Sequence, residues 1–160
     1  MNGVLTHLFD FDLDVVITHT VQMVIAFVLV LPIGYHRENS SQSIGLRTFP
    51  LVSLASCGFT LIGLELLIGQ DDGAAGEILG GVIGGVVTGI GFIGGGAILK
   101  QDGMVEGTST AAAIWSAGCI GVSVAMGRLE LAVILSVFTF LVFYFVSPLK
   151  SNLEDNKDGV

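Results

Sequence analysis

Apolar runs broken by short polar connections dominate this chain. Five of them have spanning length: Val15–Ile33, Leu46–Ile68, Ile78–Leu99, Thr108–Met126 and Leu129–Val146. A helix rises about 1.5 Å per residue, so runs of this length match a hydrocarbon layer roughly 30 Å thick. The pattern therefore predicts an all-α membrane protein, a bundle of about five transmembrane helices forming a single membrane domain over residues 1–160. Punctuation fits these bounds. Pro32 and Gly34 close the first span, Pro50 sits in the first turn of the second, and Pro148 stops the fifth. Thr108 and Ser109 can cap the fourth span. Gly127 and Arg128 leave only a tight turn before the fifth, which predicts an antiparallel helical hairpin.

The third span is the most unusual. Within it, Gly89 to Gly94 reads GIGFIG and fits the G-x-G-x-x-G spacing of dinucleotide-binding turns. That fingerprint works only where a strand ends and a helix opens toward a phosphate. Here it lies inside an uncharged apolar run, so a solvent-facing phosphate loop is not expected. Pairs such as Gly80 and Gly84, Gly85 and Gly89, and Gly91 and Gly95 lie four apart and form smooth strips on which another backbone can settle. Ser109, Ala112, Ala113, Ser116, Ala117 and Gly121 give the fourth span a matching surface, which predicts spans three and four as the tight centre of the bundle. The alternative for Gly94, Gly95 and Gly96 is a locally unwound segment whose carbonyls line a polar path.

Polar residues inside a bilayer carry a cost and call for an explanation. Asp14, Thr18, His19 and Gln22 share one arc of the first span, and Glu65 arrives at a similar depth on the second. A cluster of His19, Gln22 and Glu65 follows as a candidate site for hydrated magnesium or for a proton relay. The plainer reading has Glu65 reaching water at the interface and His19 making one interhelical hydrogen bond. At the other end, Arg37 and Arg47 lie at headgroup level. They serve orientation and lipid contact, or else Arg47 binds Glu38, Glu106 or nearby carbonyls and locks that end.

Composition narrows the function classes. Hydrophobic residues make up 52% of the chain and charged residues 12%, with a mean hydropathy of +0.84, outside the range of ordinary soluble domains. The formal net charge of -8, with only six Lys and Arg, argues against a nucleic-acid partner, and none is expected. Asp10, Asp12 and Asp14 precede the first basic residue, Arg37, so a cleaved signal peptide is not expected. The expected inside is the side holding Arg37, Arg47, Lys100, Lys150 and Lys157, with Arg128 opposite; this puts the N-terminus outside and the C-terminus in the cytoplasm. Cys57 and Cys119 lie within spans and read as packing residues. No nucleophile–base pair, paired acids or ATP-type phosphate loop emerges, so no enzyme is expected.

The ordered motifs carry a resemblance. Gly34-Tyr35-His36-Arg37-Glu38, then Gly45-Leu46-Arg47-Thr48, then a span holding Gly89, Gly91, Gly94, Gly95 and Gly96, then Thr110 and Trp115 in TSTAAAIW, resemble the MgtC/SapB family of bacterial inner-membrane proteins. The likeness runs from about Pro32 to Phe145. It implies a protein associated with magnesium homeostasis or low-magnesium adaptation, acting as a regulator of other membrane proteins rather than as a pump. The implied partners are the bilayer and another inner-membrane protein or a second copy, with no cofactor beyond a magnesium ion. The competing class is a transporter or channel for magnesium or protons. Family members typically show Gly-Leu-Glu-Arg-Glu where this chain has His36, so a two-carboxylate site on that loop is not carried over. Many relatives add a soluble C-terminal domain, whereas this sequence ends at Val160, and functions that need that domain are not expected.

Overall fold

Backbone amides have no water to bond to in hydrocarbon, so long apolar segments close their hydrogen bonds within helices. A computed structural model describes residues 12–38, 45–101 and 104–146. The described elements are α1 (Leu13–Glu38), α2 (Thr48–Glu65), α3 (Asp72–Gly96), a hairpin of β1 (Leu99–Gln101) and β2 (Met104–Glu106), α4 (Thr108–Ala125) and α5 (Leu129–Leu141). A π-helical turn, Val142–Val146, continues α5. Five helices, counting α5 with its π turn, are long and apolar enough to cross a membrane. The linker 39–44, Lys150 and Lys157 lie outside the described residues.

Several helix ends differ from the expected ones, each for a local reason. Helix α1 does not stop at Pro32 and Gly34 but continues to Glu38. Pro32 removes one amide donor and is exposed, and the helical turn beyond it is held by tertiary contacts of Arg37. Helix α3 starts at Asp72 rather than Ile78, because the Asp71 carboxylate accepts from the Gly73 and Ala74 amides, each at 3.0 Å. Gly107, not Thr108 or Ser109, caps α4. Its φ of +82° suits glycine, and a Cβ there would collide with the Ala97 carbonyl. The α4–α5 turn closes as a Schellman motif, with Arg128 N–H donating to Ser123 O at 2.8 Å and Gly127 N–H to Val124 O at 3.0 Å, Gly127 having a φ of +71°.

The centre of the bundle is α2 against α4, and not α3 against α4 as the glycine pattern suggests. That pair shares the most extensive contact, α4 is the most buried helix and α3 the least. Close approach is made possible by other glycines. A Cβ at Gly121 would run into the Ser53 carbonyl, and one at Gly118 into the Ile90 side chain, so α4 lies directly on its neighbours. By contrast, Cβ atoms at Gly80, Gly81, Gly84, Gly85, Gly89, Gly95 and Gly96 would meet nothing within 4 Å. Helix α3 stays helical through Gly94-Gly95-Gly96, its last three residues, and only Ile90 and Gly94 are buried in it. Hydroxyls tie α1 to its neighbours: Ser53 donates to Ala26 O at 3.0 Å and Ser136 to Leu29 O at 2.5 Å. Phe49, Ile33, Ile114 and Ile120 fill the space between them.

The two glycine populations respond differently to a methyl group. Gly121→Ala is expected to destabilise the folded protein by about 1–3 kcal/mol through overpacking. Gly84→Ala is expected to leave stability unchanged or raise it, since Ala is the better helix former by roughly 1 kcal/mol. Thermal unfolding of both variants in detergent, followed by helix content, checks the contrast.

Candidate functional site

Two adjacent residues at the end of α1 gather three other helices. Arg37 is only 5% exposed although it ends a helix. Its Nη2 donates to Thr110 Oγ1 in the first turn of α4, and its guanidinium carbon lies 4.8 Å from the centroid of the Phe143 ring in the π turn after α5. A buried guanidinium is tolerable only where donors are met and an aromatic face offsets lost water. Glu38 is exposed, and its carboxylate accepts from Leu46 N–H at 2.9 Å, anchoring the start of α2. His36 lies among Phe140, Phe143 and Tyr144, at 6.0, 6.5 and 6.4 Å between ring centroids.

Gly34 and Gly45 explain why the chain can fold back so tightly at this corner. A Cβ at Gly45 would stand 2.7 Å from the Glu38 backbone nitrogen, and one at Gly34 3.3 Å from Leu46 Cα. Both glycines let main chain lie against main chain, which brings Glu38 within reach of Leu46. The fixing cation is Arg37. Arg47, the lock in one of its two readings, is exposed at the start of α2, with Thr48 half-buried beside it. No signal in the sequence separated the two arginines; the burial of Arg37 depends on Phe143, more than 100 residues away in the chain.

The opposite end holds the polar residues of α1. Gln22 donates from Nε2 to the carbonyl oxygens of Val124 at 3.2 Å and Ala125 at 3.1 Å, satisfying the last turn of α4. His19 is half-buried; Asp14, Thr18 and Glu65 are exposed. Thr18 donates to the Asp14 carbonyl of its own helix at 2.8 Å. Among the described residues, no group of three or more His, Cys, Asp and Glu is gathered in a geometry that could hold a metal ion.

Grooves run between neighbouring helices. One of about 630 Å³ lies between α3 and α4, lined among others by Gly91, Gly94, Gly95, Ala112, Trp115 and Cys119. A second, of about 250 Å³, lies between α4 and α5 and includes Ala112, Ser116, Phe138 and Phe143. A third, of about 440 Å³, separates α2 from α3 beside Phe59, Gly85 and Gly89. The structure thus collects Gly91, Gly94, Gly95 and Trp115 at one groove, Arg37, Glu38, Gly45 and Thr110 at one corner, and leaves Gly96 exposed at the end of α3.

The order of these parts along the chain matches a known family over residues 23–152, described as the MgtC family. The chain belongs to the MgtC family. Among curated relatives it is 32% identical to Protein SrpB of Synechococcus elongatus over 128 residues, covering 75% of this chain and 70% of SrpB. It is 33% identical over 125 residues to YhiD of Escherichia coli K12, named as a candidate magnesium transporter, covering 76% of this chain and 57% of YhiD. It is 33% identical over 129 residues to Protein MgtC of Brucella abortus, covering 81% of this chain and 51% of that protein. The chain therefore spans little more than half of the latter two relatives. No solved structure matches it. Family membership and five spanning helices make this a multi-pass bacterial membrane protein.

The corner gives a direct test. Glu38→Gln weakens a charge-assisted bond to Leu46 N–H, and Arg37→Met removes the bond to Thr110. Arg37→Met is expected to cost about 1–3 kcal/mol, because the buried Thr110 hydroxyl loses a donor. Glu38→Gln, at an exposed site, is expected to cost less. The order of the two thermal midpoints against wild type checks the assignment.

Proposed function

We propose that this MgtC-family chain is a non-enzymatic inner-membrane protein that regulates other membrane proteins and takes part in magnesium homeostasis or low-magnesium adaptation. The observation that carries the proposal is the open glycine face of α3. Eight of its glycines have no neighbour where a side chain would begin, so a second helix can lie against that face at backbone distance. Packing inside the protomer does not use it, and lipid tails gain little from a surface without side chains. The occupant in this reading is a helix of another membrane protein, with a second copy of this chain as the alternative. The names of the relatives MgtC and YhiD support the magnesium connection. The basic residues Arg37 and Arg47 at one end support placing that end in the cytoplasm, with the start of α1 outside.

The competing reading is a carrier or channel for magnesium or protons. In its favour stand the name given to YhiD and the exposed acids Glu65, Asp71 and Asp72 at one end of the bundle. Flux measurements separate the two. Purified protein in liposomes is expected to show no saturable magnesium or proton flux. A folded Gly84→Ile variant, which fills the open face, is expected to lose support of growth at low magnesium. Saturable flux that disappears in Glu65→Gln would overturn the regulator reading.

A further inference from the structure

The groove between α2 and α3, about 440 Å³, has two unequal walls. Phe59, Ile62 and Leu66 stand out from α2 as exposed large side chains, whereas the α3 wall includes Gly85 and Gly89, where a Cβ would meet nothing within 4 Å. Ile90, buried against Gly118, closes the floor. A lipid tail gains few contacts from a wall without side chains. A helix laid here can bring its backbone against Gly85 and Gly89 while its side chains pack beside Phe59 and Ile62.

Charge at the mouth of the groove decides which helix. Asp72 stands five whole turns of 3.6 residues before Ile90, so both lie on the same side of α3, and Asp71 caps that end. A helix running along this face from beside Ile93 comes level with Asp72 after about 20 residues, the length of one membrane span. Both carboxylates are exposed, as are Asp12, Asp14, Glu65 and Glu77 at the same end of the bundle. Among the described residues one basic side chain stands there, Arg128, already paired with Glu130 at 2.7 Å. A second copy inserted the same way round brings these acids toward one another, and like charges facing across an interface disfavour it. We propose that the α2–α3 groove receives an apolar helix of another membrane protein that carries Lys or Arg just beyond the end of its span, beside Asp71 and Asp72. The proposal rests on the reading of this chain as a regulator of other membrane proteins and names the chemistry that selects the partner. The smooth groove accepts many apolar helices, and the acids at its mouth discriminate among them.

The experiment uses the full chain in nanodiscs, with a photoreactive benzoylphenylalanine placed at Phe59 in the groove wall or, as a control, at Val133 on the exposed face of α5. The probes are three synthetic apolar helices of span length with one core sequence and with two Arg, two Gln or two Glu at one end. Crosslinking at Phe59 is expected to be roughly threefold or more higher for the Arg-ended helix than for the Glu-ended one, within what two exposed ion pairs supply. The preference is expected to vanish in the double variant Asp71→Asn, Asp72→Asn, in which Asn still caps α3, and in salt that cuts the screening length to about 3 Å. Gly89→Leu, which fills the groove, is expected to lower crosslinking of all three helices. Equal yields from Arg-ended and Glu-ended helices in protein of intact helix content would overturn the proposal. So would equal yields at Phe59 and Val133, or a Phe59 crosslink that joins two copies of this chain in preference to any probe. Loss of low-magnesium growth support in Gly84→Ile without a charge preference at Phe59 leaves the regulatory reading standing and overturns this one. Saturable flux overturns the regulatory reading and leaves the preference measured at Phe59 untouched.

Discussion

The backbone of α4 lies directly on the backbone of α2, and the rest of the bundle is arranged around that contact. In a membrane there is no gain in burying one apolar side chain against another in place of lipid, so helices associate where their surfaces fit closely and where polar groups find partners. Gly118 and Gly121 provide the fit, with Ser53, Ser56 and Cys57 on the facing side of α2. Once this pair is set, α1 crosses it with hydrogen bonds from Gln22 and Ser53, α5 joins through Ser136, and α3 is left at the edge. A peripheral glycine-rich helix is the by-product of a centre built from glycines elsewhere.

The two ends of the bundle use different chemistry. At the Gln22 end, a neutral amide closes the carbonyls that the last turn of α4 leaves open. At the Arg37 end, a charge is drawn out of water and matched by a hydroxyl and an aromatic face, while its neighbour Glu38 fastens the opening of α2. The motif Gly34-x-x-Arg37-Glu38 followed by Gly45-Leu46 therefore has a physical reading. The glycines bring two stretches of main chain into contact, and the charged pair spends its hydrogen bonds on the helices that meet there.

The number and kind of helices were legible in the sequence because hydropathy over some twenty residues is a local property. The grouping of Arg37, Glu38, Gly45 and Thr110 was legible only as an ordered resemblance, and the choice of Arg37 over Arg47 as the buried cation was not. Both arginines sit at headgroup level with glycines nearby, and the difference lies in Phe143 and Thr110, which α5 and α4 deliver from far along the chain. Gly80, Gly84 and Gly85 were misread for a related reason. Four-residue spacing shows that a helix has a smooth face but not whether a partner in the same chain covers it, and here α2 and α4 covered each other instead. The β1–β2 hairpin was missed because it is built from three-residue strands too short for a pattern.

The helices are not of equal length. The central pair, α2 and α4, has 18 residues in each member, while α1 has 26 and α3 has 25. At about 1.5 Å per residue these are rods of roughly 27 Å for α2 and α4 and 38 Å for α1 and α3. A bilayer matched to the centre leaves the extra turns of α1 and α3 in the headgroup layers, where Asp14, Glu38, Asp72 and Glu77 meet water. The protein therefore presents one hydrophobic thickness to the surrounding lipid, and the extra length of α1 and α3 stands in the headgroups as polar stems.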